Sequence, residues 1–173
     1  MSLYNKKELD NKDSINLLTS LLVRYPEVCT IKYYPLSNLF KLIFIFKCDL
    51  NSKILKQFKN ELLTCINTYH YFEKNNIAKL IKIKYDYNSG FTVMELTRDT
   101  ITLTQKELTL IVYLLHNYFD NLLLSEESYV YKDDNYVEQD DNIRQLLDNL
   151  QHISIKNTLI ALRKEGRVLV FKQ

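Results

Sequence analysis

The chain has 173 residues, of which 46% are hydrophobic and 25% are charged, a composition typical of globular domains and not of disordered segments. Its net charge of +2 excludes a polycation that would coat nucleic acid with its whole surface. Its apolar runs are too short for a membrane span, its polar N-terminus predicts no signal peptide, and its three cysteines lack zinc or disulfide spacing. We therefore expect one cytoplasmic α+β domain over residues 1–173, with no membrane partner and no cofactor.

The N-terminal part of the chain predicts a helix followed by a β-hairpin. Asp13 and Ser14 are suited to cap a helix whose apolar residues recur at three- and four-residue steps until Pro26 ends it. Residues 28–34 and 39–47 then each predict a strand, joined by a Pro-Leu-Ser-Asn turn.

The middle of the chain repeats this order of elements. Residues 53–73 predict a long amphipathic helix, and residues 77–86 and 91–97 predict a second hairpin around an Asn-Ser-Gly turn. The sequences of residues 31–34 and 83–86 are also similar, which suggests a possible duplicated ββα unit; chance similarity in a chain rich in Lys, Ile and Tyr is the alternative. We expect an antiparallel sheet of β-hairpins with two long helices packed on one face.

Residues 104–119 predict the second of these long helices. Thr104 and Glu107 fit a capping box, in which the threonine hydroxyl accepts from the Glu107 N–H and the glutamate side chain reaches back to the Thr104 N–H. Apolar residues surround nearly the whole circumference of this helix, so it is either the central helix of the fold or a contact with a partner subunit. The second alternative leads us to expect a homo-oligomer, in the simplest case a homodimer.

Residues 125–141 are acidic and polar, and they predict a surface loop. Their clustered carboxylates suggest calcium binding, but the sixth and twelfth positions of an EF-hand loop would be Glu138 and Arg144 instead of the required glycine and glutamate. We therefore expect a solvated loop, followed by a helix over residues 142–151.

The three histidines do not form a recognisable catalytic motif. His70, His116 and His152 each lie near a predicted helix end, where we expect them to bond a terminal carbonyl. No serine or cysteine lies in a nucleophile elbow, and the two glycines cannot form a glycine-rich phosphate loop. The sequence thus favours a protein that is not an enzyme.

The C-terminal segment allows two interpretations. Residues 143–150, 158–166 and 167–171 resemble the first helix, the recognition helix and the first wing strand of winged-helix regulators. That resemblance implies that the side chains meeting DNA bases or phosphates are Lys156, Asn157, Arg163, Arg167 and Lys172.

A third β-hairpin is the competing interpretation of the same segment. Residues 158–163 and 167–172 would then be strands joined by the Lys-Glu-Gly-Arg turn, and they would extend the sheet of the first two hairpins. The β-branched and aliphatic residues on both sides of the turn favour this hairpin.

Three classes of function remain open on the sequence alone. The first is a non-enzymatic binding or regulatory module that self-associates. The second is a nucleic-acid-binding protein, which would use either the winged-helix-like tail or residues 32–84. These residues include ten lysines and only three acidic residues. The third is a small enzyme of unfamiliar type, which would need a cleft where tyrosine, histidine and carboxylate side chains converge.

Overall fold

The computed structural model describes residues 3–74, 76–125, 136–150 and 156–173. Within these ranges none of the helices is both long and apolar enough to cross a bilayer. The elements are, in chain order, α1 (Leu3–Arg24), β1 (Thr30–Tyr34), β2 (Leu39–Phe46), α2 (Ser52–Lys74), β3 (Ile81–Asn88), β4 (Phe91–Asp99), α3 (Gln105–Phe119), α4 (Tyr136–Leu150), β5 (Leu159–Lys164) and β6 (Arg167–Lys172).

The six strands form one antiparallel sheet in the order β3-β4-β2-β1-β5-β6. Three of the pairs are hairpins: β1 with β2, β3 with β4, and β5 with β6. Ser89 and Gly90 turn the second hairpin with φ values of 50° and 86°, and Glu165 and Gly166 turn the third with 51° and 72°. Two successive positive φ angles are typical of a type I′ turn, whose twist matches that of the strands. The predicted α+β class and the sheet of hairpins are confirmed.

The helices cover one face of this sheet. Along β2, Phe40, Leu42, Phe44 and Phe46 are buried while the residues between them are half-buried, because alternate side chains point to opposite faces. α1 packs against α4 and against β1, β5 and β6, and α2 packs against α3. The hydrophobic core lies between the helices and this one face.

α3 is a central helix of this layer. Its buried residues include Leu108, Ile111 and Leu115, and the helix contacts both α2 and α4. Tyr113 is the most exposed of its large apolar side chains, at 61%. The chain's own elements therefore cover most of the helix, which is the first of the two alternatives that its sequence raised.

Two helices begin earlier than the sequence predicts. α1 begins at Leu3 instead of near Asp13, because no glycine or proline interrupts the segment and the Ser14 side chain is buried inside the helix instead of capping it. α4 begins at Tyr136, so the prediction of a loop for residues 136–141 is wrong.

Contacts with α1 explain the early start of α4. The Arg24 guanidinium donates to Asp140 over 2.7 Å and lies 4.8 Å from the centre of the Tyr136 ring. These contacts fix the first turn of α4 against α1. The remainder of the predicted loop, residues 126–135, lies outside the described residues.

The C-terminal segment is the predicted hairpin, so the winged-helix interpretation is wrong. β5 pairs with β1 as well as with β6, with Ala161 opposite Ile31 on one side and Val170 on the other. The backbone groups that a recognition helix would bond internally are instead used in the sheet. The possible duplication of a ββα unit stays a prediction.

Candidate functional site

Arg163, one of the five residues predicted to contact nucleic acid, is buried. Its guanidinium donates a hydrogen bond to the carbonyl of Leu22 in the last turn of α1. A cation at this end of a helix satisfies a carbonyl that has no partner within the helix. Its position indicates a structural role, and contact of Arg163 with nucleic acid stays a prediction.

The other four predicted residues are exposed but do not form one site. Lys156 and Asn157 precede β5, Lys172 ends β6, and Arg167 begins β6 at the hairpin turn. Arg167 and Lys172 point to opposite faces of the sheet, because they are five positions apart along the strand and successive side chains alternate. The hairpin thus distributes these side chains over two faces and both of its ends.

The sheet face that points away from the helices is not covered by any described helix. We call it the open face. Its side chains are exposed or half-buried except for Thr97 and Asp99, and no described helix packs against it. The open face consists of Thr30, Lys32, Tyr34, Leu39, Lys41, Ile43, Ile45, Lys82, Lys84, Asp86, Asn88, Phe91, Val93, Glu95, Thr97, Asp99, Ile160, Leu162, Lys164, Arg167, Leu169 and Phe171.

Strand register aligns lysines from three strands of the open face. Lys32 lies opposite Lys41, Lys41 lies opposite Thr97, and Thr97 lies opposite Lys82. Lys84 is the next outward residue along β3. With strands about 4.8 Å apart, this row extends over about 14 Å across the sheet. Its three lysines belong to segments that are distant in sequence and adjacent in the fold.

The charge of the open face is mostly unneutralised. Lys41 donates to Glu95 over 2.9 Å, a hydrogen bond that raises the pKa of Lys41. Within the described ranges, no carboxylate lies within 4.0 Å of the Nζ atoms of Lys32, Lys82 or Lys84. The face carries six basic side chains and three acidic ones, of which Asp99 is buried, and it is therefore cationic in a chain whose net charge is small.

A buried polar network lies beneath the helices, on the other side of the sheet. Arg98 donates to both oxygens of Glu107, over 2.6 and 2.8 Å, and to Asp99 over 2.5 Å. The His70 Nε2 atom lies 2.7 Å from Glu107 and near the guanidinium of Arg98. Because an ionised carboxylate only accepts hydrogen bonds, Nε2 carries the hydrogen and donates it to Glu107.

This network has a structural role. Arg98, Glu107 and His70 are each at most 1% exposed, so a substrate has no access to them. They belong to β4, α3 and α2, and their hydrogen bonds fix the ends of these three elements to each other. Glu107 and His70 differ here from their sequence predictions. The Thr104 hydroxyl does accept from the Glu107 N–H, but the Glu107 side chain binds Arg98 instead of reaching back.

A cleft of about 380 Å³ lies between the end of α1, α3 and the start of α4. It brings together Tyr25, Glu27 and His116, the groups that a small enzyme would need, with Glu27 and His116 bonded over 2.7 Å. His116 therefore bonds a carboxylate and not the predicted helix carbonyl. Tyr25 is bonded to Thr109 and Gln105.

The polar groups of this cleft bind mainly to each other, and a nucleophile of the serine or cysteine type does not line it. In the part of the chain that the structure describes, no three His, Cys, Asp or Glu side chains are close enough together to hold a metal ion. His152 lies outside the described residues.

Comparisons with family models, curated proteins and solved structures give no match for this chain. Its function is therefore inferred from its own residues. Among them, the residues of the open face form a surface with a distinct, cationic character.

Proposed function

We propose that this protein is a non-enzymatic binding module whose open face binds single-stranded nucleic acid. The observation that supports this proposal is the alignment of Lys32, Lys41 and Lys82 on the uncovered side of the sheet, with Lys84 beside them. The lysine-rich stretch of the sequence thereby contributes to one surface from three separate strands.

The charge of the open face favours a polyanion. Lysines without a carboxylate partner keep their full charge for a ligand, and neutralising phosphates with them releases condensed counterions. The row runs across the strands, so that an extended phosphate backbone crossing the sheet meets one lysine after another. The remaining lysines on the outer side of α2 lie on the opposite side of the molecule and cannot contribute to the same contact.

The shape of the open face favours a single strand over a duplex. A flat sheet has no protruding helix or ribbon to enter a major groove, whereas exposed bases can stack on aromatic side chains of a sheet. Tyr34 and Phe171 lie on the open face, and the Phe171 ring is 50% exposed. Half-buried aliphatic side chains between them supply apolar surface for unstacked bases.

Fluorescence anisotropy with a labelled single-stranded oligonucleotide tests this proposal over a series of salt concentrations. We expect binding at low salt that weakens steeply as salt rises. The double variant Lys82→Gln/Lys84→Gln should weaken binding and reduce the slope of log K against log salt by about 1.4, because each phosphate contact with a single strand contributes about 0.7. Both side chains are exposed, so the fold should be unaffected.

Lys53→Gln/Lys56→Gln is the matched control. These two lysines are also exposed, but they lie on α2, behind the sheet. The control should bind like the unmodified protein. Absence of binding at low salt, or an equal loss in both double variants, would contradict the proposal. A preference for duplex DNA or for anionic vesicles over the single strand would also contradict it.

Self-association remains part of the proposed function, but α3 no longer supplies the reason for it. The helix is covered mainly by α2, α4 and the sheet. A different surface of the chain is better suited to a second copy.

A further inference from the structure

Among the described residues, the outer edge of the sheet at β6 is unpaired and apolar. No described strand pairs with the outer side of β6. Four consecutive apolar residues, Val168–Phe171, form this edge, with Arg167 and Lys172 as its flanking charges. An edge strand presents unpaired backbone N–H and C=O groups to any other strand, and charged residues in its middle are the usual protection against pairing.

The opposite edge of the sheet is protected in that way. β3 alternates Lys82, Lys84 and Asp86 with its inward-facing residues, so charged side chains project along its whole length. Pairing of β6 with β3 of another copy would build an open fibre, because each added copy would still have one unpaired edge for the next copy. The charges of β3 oppose this contact, whereas β6 carries no such protection.

The hydrogen bonds of the third hairpin identify which groups of β6 point outward. Gln173 N–H donates to the carbonyl of Thr158, and Arg167 flanks a two-residue turn opposite Lys164. Residues of odd number in β6 therefore bond to β5. In an antiparallel ladder the alternate residues bond to the other side, so Val168, Val170 and Lys172 direct their N–H and C=O groups away from the sheet.

We infer that two copies of this chain pair through β6, antiparallel and about a two-fold axis at Val170, to form one continuous twelve-stranded sheet. In this register Val170 faces the partner's Val170, and Val168 faces the partner's Lys172. All three outward-pointing residues of each copy are then used, which gives six backbone hydrogen bonds. The inference rests on the β6 edge alone and does not depend on nucleic-acid binding.

The side chains of β6 are complementary to themselves in this register. On the open face, Leu169 lies opposite the partner's Phe171, so the half-exposed aromatic ring gains an apolar neighbour. Arg167 lies opposite the partner's Gln173, and like charges do not meet. In this register an odd-numbered residue lies opposite an odd-numbered residue of the partner, and an even-numbered one opposite an even-numbered one. Paired side chains therefore point to the same side, and both open faces lie on the same side of the joined sheet.

Sedimentation equilibrium over a concentration series measures the association. We expect a reversible dimer, and the variant Phe171→Lys should raise the dimer dissociation constant at least tenfold because it removes the apolar pair with Leu169. Phe91→Lys is the matched control, since Phe91 is 45% exposed at the turn of the second hairpin, far from β6. It should dimerise like the unmodified protein.

A proline at Val170 tests the backbone pairing itself. The N–H of Val170 points outward, so Val170→Pro removes no hydrogen bond within the monomer but two at the two-fold axis. Cooperative thermal unfolding of this variant, together with monomeric mass, is the expected result. A strictly monomeric unmodified protein, or a dimer that survives both Val170→Pro and Phe171→Lys, would overturn the inference.

Disulfide formation at the axis distinguishes the register. Opposite Cα atoms in a hydrogen-bonded pair are about 5.5 Å apart, within the range for a disulfide. In a background where Cys29, Cys48 and Cys65 are replaced by alanine, Val170→Cys should form a covalent dimer on mild oxidation. Val168→Cys should not, because Val168 lies opposite Lys172 of the partner subunit. Equal crosslinking at both positions would contradict pairing centred on Val170.

Discussion

Asp99 is a carboxylate that keeps its negative charge although it is buried. Burial by itself would raise the pKa of Asp99, but hydrogen bonds from the hydroxyl and N–H of Thr102, from the Leu80 N–H and from the Arg98 guanidinium outweigh it, and the pKa is lowered. The charged form of Asp99 is therefore part of the folded state.

The stability of the protein should fall in acid because of this residue. A carboxyl whose pKa is lower in the folded protein stabilises the fold fully above its unfolded value of about 3.9, and this stabilisation is lost as the pH falls through the folded pKa. Asp99→Asn should lower the free energy of unfolding at neutral pH and flatten its pH dependence below about pH 4. Urea denaturation at a series of pH values measures both effects.

Asp86→Asn is the control for this experiment. Asp86 is exposed on the open face, and its replacement should leave the pH dependence nearly unchanged. An equal flattening in both variants would show that the acid sensitivity comes from the overall charge and not from the bonds of Asp99.

At the residue level, the sequence predicts the position of a side chain when that position depends on residues close by in the chain. The alternation of Lys82 and Lys84 with Ile81 and Ile83 predicts that the lysines share one face of a strand, and the structure confirms this. The side chain of Glu107 is different, because its local and its distant partners compete. The sequence suggests the nearby Thr104 N–H, while the fold supplies a guanidinium that makes two stronger, charge-assisted bonds.

One signal for this buried network was present in the sequence. Arg98 occupies the same side of β4 as Met94 and Leu96, which are fully buried. A charged residue in the inward-facing register of a strand requires a buried partner of opposite charge. The identity of that partner depends on how α3 crosses β4, which the strand pattern alone does not contain.

The elements that this network joins should separate readily once it is broken. Arg98→Met leaves the carboxylates of Glu107 and Asp99 buried without their cation, and we expect it to lower the free energy of unfolding by about 3 to 5 kcal/mol. Chemical denaturation measures the change. Glu107→Met in the same chain should recover part of this loss, because the double variant no longer contains the unpaired Glu107 charge.

Lys106→Met is a suitable control on the same helix. Lys106 is exposed and forms only a 3.4 Å ion pair with the exposed Glu73, which should contribute little to stability. A loss for Arg98→Met as small as that for Lys106→Met would show that the network does not hold the three elements together.

At the scale of elements, hairpins were easier to predict than helix boundaries. Alternating residues and turn residues are local signals that predict the first two hairpins, and helical apolar spacing with the Thr104 cap predicts α2 and α3. The starts of α1 and α4 depend on tertiary contacts such as that between Arg24 and Asp140. The ambiguity at residues 158–166 is also resolved by a distant partner, since pairing with β1 makes the segment a strand.

At the scale of the whole molecule, the order of the strands brings the candidate site together. The sequence indicates a lysine-rich stretch, but it does not show that β2 lies between β1 and β4. That pairing aligns Lys41 with Lys32 on one side and, across Thr97, with Lys82 on the other. Pairings between segments distant in sequence carry no local signal, so the row of lysines becomes visible only in the folded chain.

Dimerisation through β6 would strengthen binding by the open faces. The two faces would lie on the same side of the joined sheet, and the two copies of Lys32 would be separated by five strand spacings, or about 24 Å. A single strand long enough to reach both lysine rows would then bind with avidity, whereas a short one would not.

Amide chemical shifts recorded by NMR during titration with a single-stranded oligonucleotide locate the binding surface residue by residue. Binding at the open face should perturb the strand residues around Lys32, Lys41 and Lys82 and leave the outer side of α2, around Lys56, unchanged. Perturbations centred on α2, or on the cleft beside Glu27 while the open face stays unaffected, would contradict the account.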